Sequence, residues 1–129
     1  MLRSPKILLI EDDADLAEVV AEVLLMEGYQ LSHASDGKAA LELLATSELP
    51  DLILLDLMMP NMNGWDFRDA QLRDARLAKI PVVVLSATGE RSRPIDAVLV
   101  LRKPVTLKEL LSAVKRFSNS SQPKNNRPS

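Results

Sequence analysis

Pro50-Asp51-Leu52-Ile53-Leu54-Leu55-Asp56, followed by Leu57-Met58-Met59-Pro60-Asn61-Met62-Asn63-Gly64, is the stretch on which the reading of this chain turns. Four apolar residues in a row between two aspartates are too few for a buried helix and do not alternate. They read as a strand buried on both faces, which requires helices on both sides of a parallel sheet. The strand ends in a carboxylate, Asp56, and the residues after it form a turn-rich loop. Three similar runs lie elsewhere. Ile7-Leu8-Leu9-Ile10 ends in Glu11-Asp12-Asp13. Val82-Val83-Val84-Leu85, opened by Pro81, ends in Ser86. Val98-Leu99-Val100-Leu101 leads to Lys103-Pro104. Tyr29 to Ala34 alternates like a more exposed strand.

Between these strands the period changes. Leu16, Val19, Val20, Val23 and Leu24 recur at helical spacing, and Gly28 follows as a stop. Asp36 can cap a second helix with a stripe of Leu41, Leu43 and Leu44. A third helix is expected from about Trp65 to Leu77. Thr106 and Glu109 form a capping box for a last helix carrying Leu107, Leu110, Leu111, Val114 and Phe117. The alternation gives an α/β fold: a doubly wound, five-stranded parallel sheet in the flavodoxin-like order 2-1-3-4-5. The crossover from Ser86 to Val98 is the weak point. It is near the minimum of ~10–12 residues for a crossover with its helix. Pro94 interrupts it, and Thr88 to Arg93 supplies no apolar face. A shortened or missing fourth helix is expected there. Residues 1–117 form the folded domain, and the polar stretch 118–129 is expected to be a disordered tail.

Composition narrows the function classes. The chain has 129 residues, enough for one domain, and 47% are hydrophobic but only 3% aromatic, so the core is aliphatic. There is no Cys and a single His, which excludes a disulfide framework, a cysteine zinc site and thiol catalysis. The net charge of −2 offers nothing to nucleic acid or an anionic membrane, so no direct nucleic-acid binding and no membrane contact is expected. No stretch has the length of a signal peptide or a membrane span, and the expected location is the cytoplasm.

In such sheets ligands bind beyond the carboxyl ends of the strands, where the strand order reverses. That rule gathers Glu11, Asp12, Asp56, Ser86 and Lys103 at one edge. Several carboxylates in a partly dry cleft repel, and a hard divalent cation such as Mg²⁺ relieves this while keeping positions open for phosphate oxygens. With a hydroxyl and an ammonium nearby, Asp56 can serve as a nucleophile toward phosphorus. Each element also has an ordinary reading. The acids after the first strand can cap a helix, Asp56 can be a turn residue, and Lys103 can be solvated. The coincidence of four such elements at the ends of four apolar strands favours a common site. His33 reads as an ordinary strand residue and Trp65 as packing.

These stretches resemble the receiver-domain family of two-component signalling. The resemblance rests on Ile7 to Asp13, Pro50 to Pro60 with Gly64, Val82 to Ala87, and Lys103-Pro104, and it spans residues 6–117. It implies that Asp56 accepts a phosphoryl group from a sensor histidine kinase or phosphotransfer protein and passes the signal to a downstream protein. It implies that Asp12, Asp56 and the backbone carbonyl of Met58 bind Mg²⁺ directly, that Glu11 does so through water, and that Ser86 and Lys103 contact the phosphoryl group. A cis Lys103–Pro104 bond is also implied. The chain departs from the family where an aromatic switch residue usually precedes the lysine by three positions; here Val100 stands there. The short crossover is the second departure, and it directs expectation to a loop output involving Arg91 or Arg93.

Three other functions use similar residues. A haloacid-dehalogenase-type phosphatase needs an acid two residues after its nucleophile, where this chain has Met58. A pseudo-receiver would not need the intact acids and lysine. A flavin-binding domain would place a phosphate loop where Glu11, Asp12 and Asp13 repel one. The chain is therefore read as a phosphoacceptor that promotes its own phosphotransfer and dephosphorylation, with no small-molecule turnover expected.

Overall fold

A computed structural model describes residues 4–87 and 95–118. Five strands, β1 (Lys6–Ile10), β2 (Gln30–Ala34), β3 (Leu52–Asp56), β4 (Val82–Ser86) and β5 (Leu99–Arg102), form one parallel sheet in the order β2-β1-β3-β4-β5. Four helices are present among the described residues: α1 (Ala14–Met26), α2 (Gly37–Thr46), α3 (Gly64–Leu72) and α4 (Leu107–Ser118). The doubly wound, flavodoxin-like expectation is met.

The continuous apolar runs are explained by two cores. Leu8, Ile10, Ile53, Leu55, Val82 and Val84 face α2 and α3, where they meet Ala40, Leu44 and Phe67. Their neighbours Ile7, Leu9, Leu52, Leu54, Val83 and Leu85 face α1 and α4, meeting Val20, Leu24, Leu110 and Val114. A period of two along each strand thus serves two apolar layers.

Local signals set the helix ends. Asp13 caps α1, accepting from the backbone N–H of Asp15 and Leu16. Gly28, at φ 93°, ends it in the left-handed region that glycine tolerates. Asp36 caps α2 by accepting from Ala39 N–H at 2.8 Å. Thr106 and Glu109 make the reciprocal bonds of a capping box at α4, at 3.0 and 3.1 Å.

Three boundaries differ from expectation. Strand β2 begins at Gln30 rather than at Tyr29, which lies in the turn after α1, its N–H donating to Leu24 O at 3.0 Å. Helix α3 begins at Gly64, capped by Asn63, and stops at Leu72 rather than Leu77. Beyond it Asp74 turns its carboxylate onto Arg76 N–H at 2.9 Å, offering the backbone a turn in place of the helix. The third difference is β5, where the run Val98 to Leu101 is half-buried on one face and exposed on the other. Val98 and Val100 are 46% and 45% exposed. As an edge strand, β5 pairs with β4 alone. Among the described residues no helix lies between β4 and β5; Thr88, Arg91, Arg93 and Pro94 fall outside them. Helix α4 runs through Ser118, and residues 119–129 of the expected tail also lie outside the described residues. No described helix is long and apolar enough to cross a membrane.

Candidate functional site

Parallel register brings the strand ends level. Ile10 pairs with Leu55 and Asp56 with Leu85, so the residues following β1 and those ending β3 and β4 emerge at one edge. Glu11 and Asp56 are almost wholly buried, at 1% and 4% exposure, whereas Asp12 is exposed. One carboxylate oxygen from each of Glu11, Asp12 and Asp56 lies within 4.8 Å of the others. An octahedral Mg²⁺ with bonds of about 2.1 Å sets its ligand oxygens roughly 3–4 Å apart. Small side-chain movements let these three acids share one such ion, directly or through its waters.

The cation at this edge is Lys103. Its Nζ donates to Asp56 Oδ1 and to Glu11 Oε1, each at 3.2 Å. The backbone carries it there: Lys103 N–H donates to Ser86 O at 2.7 Å, and the Lys103–Pro104 bond is cis, as the resemblance implies. Burial pushes the Asp56 carboxyl up, the Glu11 charge adds to this, and the Lys103 ammonium opposes it; the balance leaves Asp56 at about 7. Burial pulls the Lys103 ammonium down, but the charges of Asp56 and Glu11 outweigh it and hold the lysine above its ordinary value.

Glu11, Asp12, Asp56 and Lys103 converge. Ser86 stands at the end of the adjoining strand, 6% exposed, with its hydroxyl donating to Ala87 O at 3.3 Å. Met58 lies in the loop two residues past Asp56 with its side chain 58% exposed, so only its backbone is suited to a polar task. Val100 carries no ring and sits on the uncovered face of β5. His33 is an exposed residue of β2, one ring nitrogen 2.7 Å from Glu11 O.

Sequence reading missed two sets of residues. Asp36 reads in the sequence as a cap, but its other carboxylate oxygen accepts from Asn61 Nδ2 at 2.7 Å, reaching the loop that follows Asp56. The one available signal was an Asn in a turn, a residue that tolerates positive φ; Asn61 has φ 65°. Buried Gln71 accepts from Arg68 Nη1 at 2.8 Å and donates to Leu77 O and Ile80 O at 2.9 and 3.1 Å. Arg68 in turn donates to Asp96 O at 2.8 Å. In the sequence, polar residues three apart on a helix look like a solvated face. A groove of about 470 Å³ also opens beside Lys103, between α1 and the start of α4, lined by Leu16, Val19, Val20, Leu107 and Leu110 among others.

Comparison with known proteins places this geometry. The family model for the response regulator receiver domain matches residues 7–115. The DNA-binding dual master transcriptional regulator RpaA of Synechocystis sp. is 38% identical over 116 residues, covering 86% of this chain and 48% of that protein. The transcriptional regulatory protein CpxR of Escherichia coli is 39% identical over 124 residues, covering 90% of this chain and 50% of that protein. The chain spans about half the length of the curated relatives it matches. Among solved structures, the signal receiver domain of a signal transduction histidine kinase from Syntrophus aciditrophicus superposes with a TM-score of 0.86 at 29% identity, covering 98% of each chain.

One expectation is corrected by these relatives. Net charge argued against nucleic acid, yet RpaA and the DNA-binding response regulator MtrA of Mycolicibacterium paratuberculosis, 40% identical over 119 residues, are DNA-binding regulators. The reason is one of scope: a charge balance describes only the residues counted, and these align with about half of each relative. Matched from β1 through most of α4, and more than 30% identical to relatives along most of its length, the chain belongs to the response regulator receiver domain family of two-component systems.

Proposed function

We propose that Asp56 is the phosphoacceptor, that Asp12, Asp56 and the Met58 carbonyl bind one Mg²⁺ with Glu11 acting through water, and that Ser86 and Lys103 contact the phosphoryl oxygens. The observation that carries this reading is the single ammonium of Lys103 held 3.2 Å from both buried carboxylates, with Asp12 alongside. Asp56 attacks phosphorus through a carboxylate oxygen, and the bond from phosphorus to the donor's imidazole nitrogen breaks, its electron pair leaving with the nitrogen. Bound Mg²⁺ supplies charge neutralisation on the transferring group. Lys103 is already aimed at the Asp56 oxygens and follows the negative charge onto the phosphoryl group. The Ser86 hydroxyl, at the neighbouring strand end, is within the same edge of the sheet. Met58 cannot act as a general base toward water, so the acyl phosphate persists as a signal and no small molecule is turned over.

The folded receiver, residues 1–117, is proposed to work in the cytoplasm with a histidine-kinase phosphodonor. By likeness to RpaA and MtrA, its phosphorylation state is proposed to govern a nucleic-acid-binding regulator. Treating the protein with a small-molecule phosphodonor and reading intact mass tests the core of this. One added phosphoryl group is expected with Mg²⁺, and none with a chelator or in Asp56→Asn. Full labelling of Asp56→Asn overturns the assignment.

A further inference from the structure

The loop from Leu57 to Asn63 joins the Asp56 strand end to α3, and it is held from both sides. At its close, Gly64 N–H donates to Leu57 O at 2.9 Å. A Cβ on Gly64 would lie 2.8 Å from Leu57 Cα and 2.9 Å from Asp56 O, so only glycine lets α3 start this close to the site. In its middle the loop is fastened to α2. Asn61 Nδ2 donates to Asp36 Oδ2 at 2.7 Å while Asp36 Oδ1 accepts from Ala39 N–H at 2.8 Å. One carboxylate therefore spans the helix N-terminus and the loop. The bonds from Ala39 and Asn61 hold the Asp36 carboxyl below its usual range, so it remains ionised and a strong acceptor. Next to it Gly37 N–H donates to Met62 O at 3.2 Å, and a Cβ on Gly37 would come within 2.8 Å of Met62 Cγ. Asn61 itself holds a left-handed conformation, φ 65°, which Asn adopts more readily than most residues.

Met58 lies between the strand end and this fastened turn, with its side chain turned to solvent. Whatever it contributes to the site is contributed by backbone, and backbone position is what the fastening controls. We infer that Asp36 and Asn61 are a positioning pair that sets the loop backbone at Met58 for the metal, without touching the metal or the phosphoryl group. The inference rests on the proposed Mg²⁺ site. It predicts an effect on metal affinity from two residues that are not ligands.

Asn61→Asp is the discriminating change. It keeps size and tolerance of positive φ but removes the donor and sets a second carboxylate against Asp36. Exchanging the pair, Asp36→Asn with Asn61→Asp, restores the bond with donor and acceptor reversed and keeps an oxygen to cap α2. Mg²⁺ alone is titrated by calorimetry, with Trp65, the sole tryptophan, as a fluorescence check. Expected is a Kd about 5–10-fold weaker in Asn61→Asp, a matching rise in the Mg²⁺ needed for half-maximal phosphorylation, and a phosphorylation rate at saturating Mg²⁺ within about twofold of the parent, as one lost charge-assisted bond would give. The exchanged pair is expected to recover parental affinity within about twofold. Asn61→Gly, which keeps the φ freedom and lacks the amide, serves if Asn61→Asp fails to fold, and should weaken Mg²⁺ similarly. Parental affinity in a folded Asn61→Asp or Asn61→Gly, or no recovery in the exchanged pair, overturns the inference while Asp12→Ala still tests the site. If the parent binds no better than Asp12→Ala, the Mg²⁺ site itself is wrong, and the inference goes with it.

Discussion

Lys103 donates to Asp56 at 3.2 Å across 47 residues of sequence, and the same ammonium reaches Glu11 at 3.2 Å across 92. It is the charge that lets two buried carboxylates share one sheet edge without a metal. Lys103→Met leaves them facing each other in a poorly solvated cleft. Removing one partner of a fully buried pair costs about 3–5 kcal/mol. With the Lys103 side chain 25% exposed, and Asp56 able to take a proton, about 1–3 kcal/mol is expected at pH 7.5. Urea unfolding will show a lower midpoint for the variant without metal. Adding Mg²⁺ will narrow the gap, because the ion takes over the neutralisation.

Asp56 is held at about 7 by burial and by Glu11. A folded-state value above the unfolded one means that the native state keeps the proton more tightly. The associated stability is full at about pH 4 and is lost as pH rises through 7. The metal-free protein should therefore weaken between pH 5 and 8. Asp56→Asn cannot ionise and should not show this loss. It is expected to exceed the parent by on the order of 2 kcal/mol at pH 8, with the gap shrinking toward pH 5. Parallel stability curves for the two proteins over this range would show that Asp56 is not the group responsible.

The same proton competes with metal. Below about 7 a divalent ion must displace it from Asp56, and above that it meets a carboxylate already ionised. Mg²⁺ affinity should rise about fivefold between pH 6 and 7, reach about tenfold by pH 8 and level off above that. Calorimetry at pH 6 in two buffers of different ionisation enthalpy should report close to one proton released per ion bound, falling toward none at pH 8. Equal affinities at pH 6 and 8 would remove Asp56 from the ligand set.

Gln71 is completely buried and satisfies three groups at once: Arg68, Leu77 O and Ile80 O. Gln71→Leu fits the volume but takes the side-chain donor from Ile80 O, leaves Leu77 O with the Ile80 N–H, and strips Arg68 Nη1 of its acceptor. A cost of about 2–4 kcal/mol is expected, since buried polar groups stripped of partners carry their full desolvation penalty. Chemical unfolding measures it. Hydrogen exchange should rise in the turn from Asp74 to Ile80 in the folded variant.

Much of this protein was determined by short-range pattern. The apolar runs 7–10, 52–55 and 82–85 could only be strands covered on both faces, and Gly28, Asp36 and the Thr106–Glu109 box set helix ends through bonds within a few residues. Strand order followed from alternation, and with it the edge where Glu11, Asp12, Asp56, Ser86 and Lys103 had to appear. What remained for the tertiary structure depends on distance and burial between remote elements. Four strands read alike in the sequence, but only an edge position left Val98 and Val100 half exposed. Three neighbouring acids read alike, but the turn after β1 buried Glu11 against Lys103, left Asp12 open to solvent and used Asp13 as a cap. The expected helix to Leu77 ended at Leu72 because Asp74 and Gln71 found partners that helical periodicity does not encode. The bond from Asn61 to Asp36 joins residues 25 apart, and the raised carboxyl of Asp56 comes from desolvation and from Glu11 in another strand's end. Electrostatic energies follow separation and solvent access, which the chain acquires only when its elements pack.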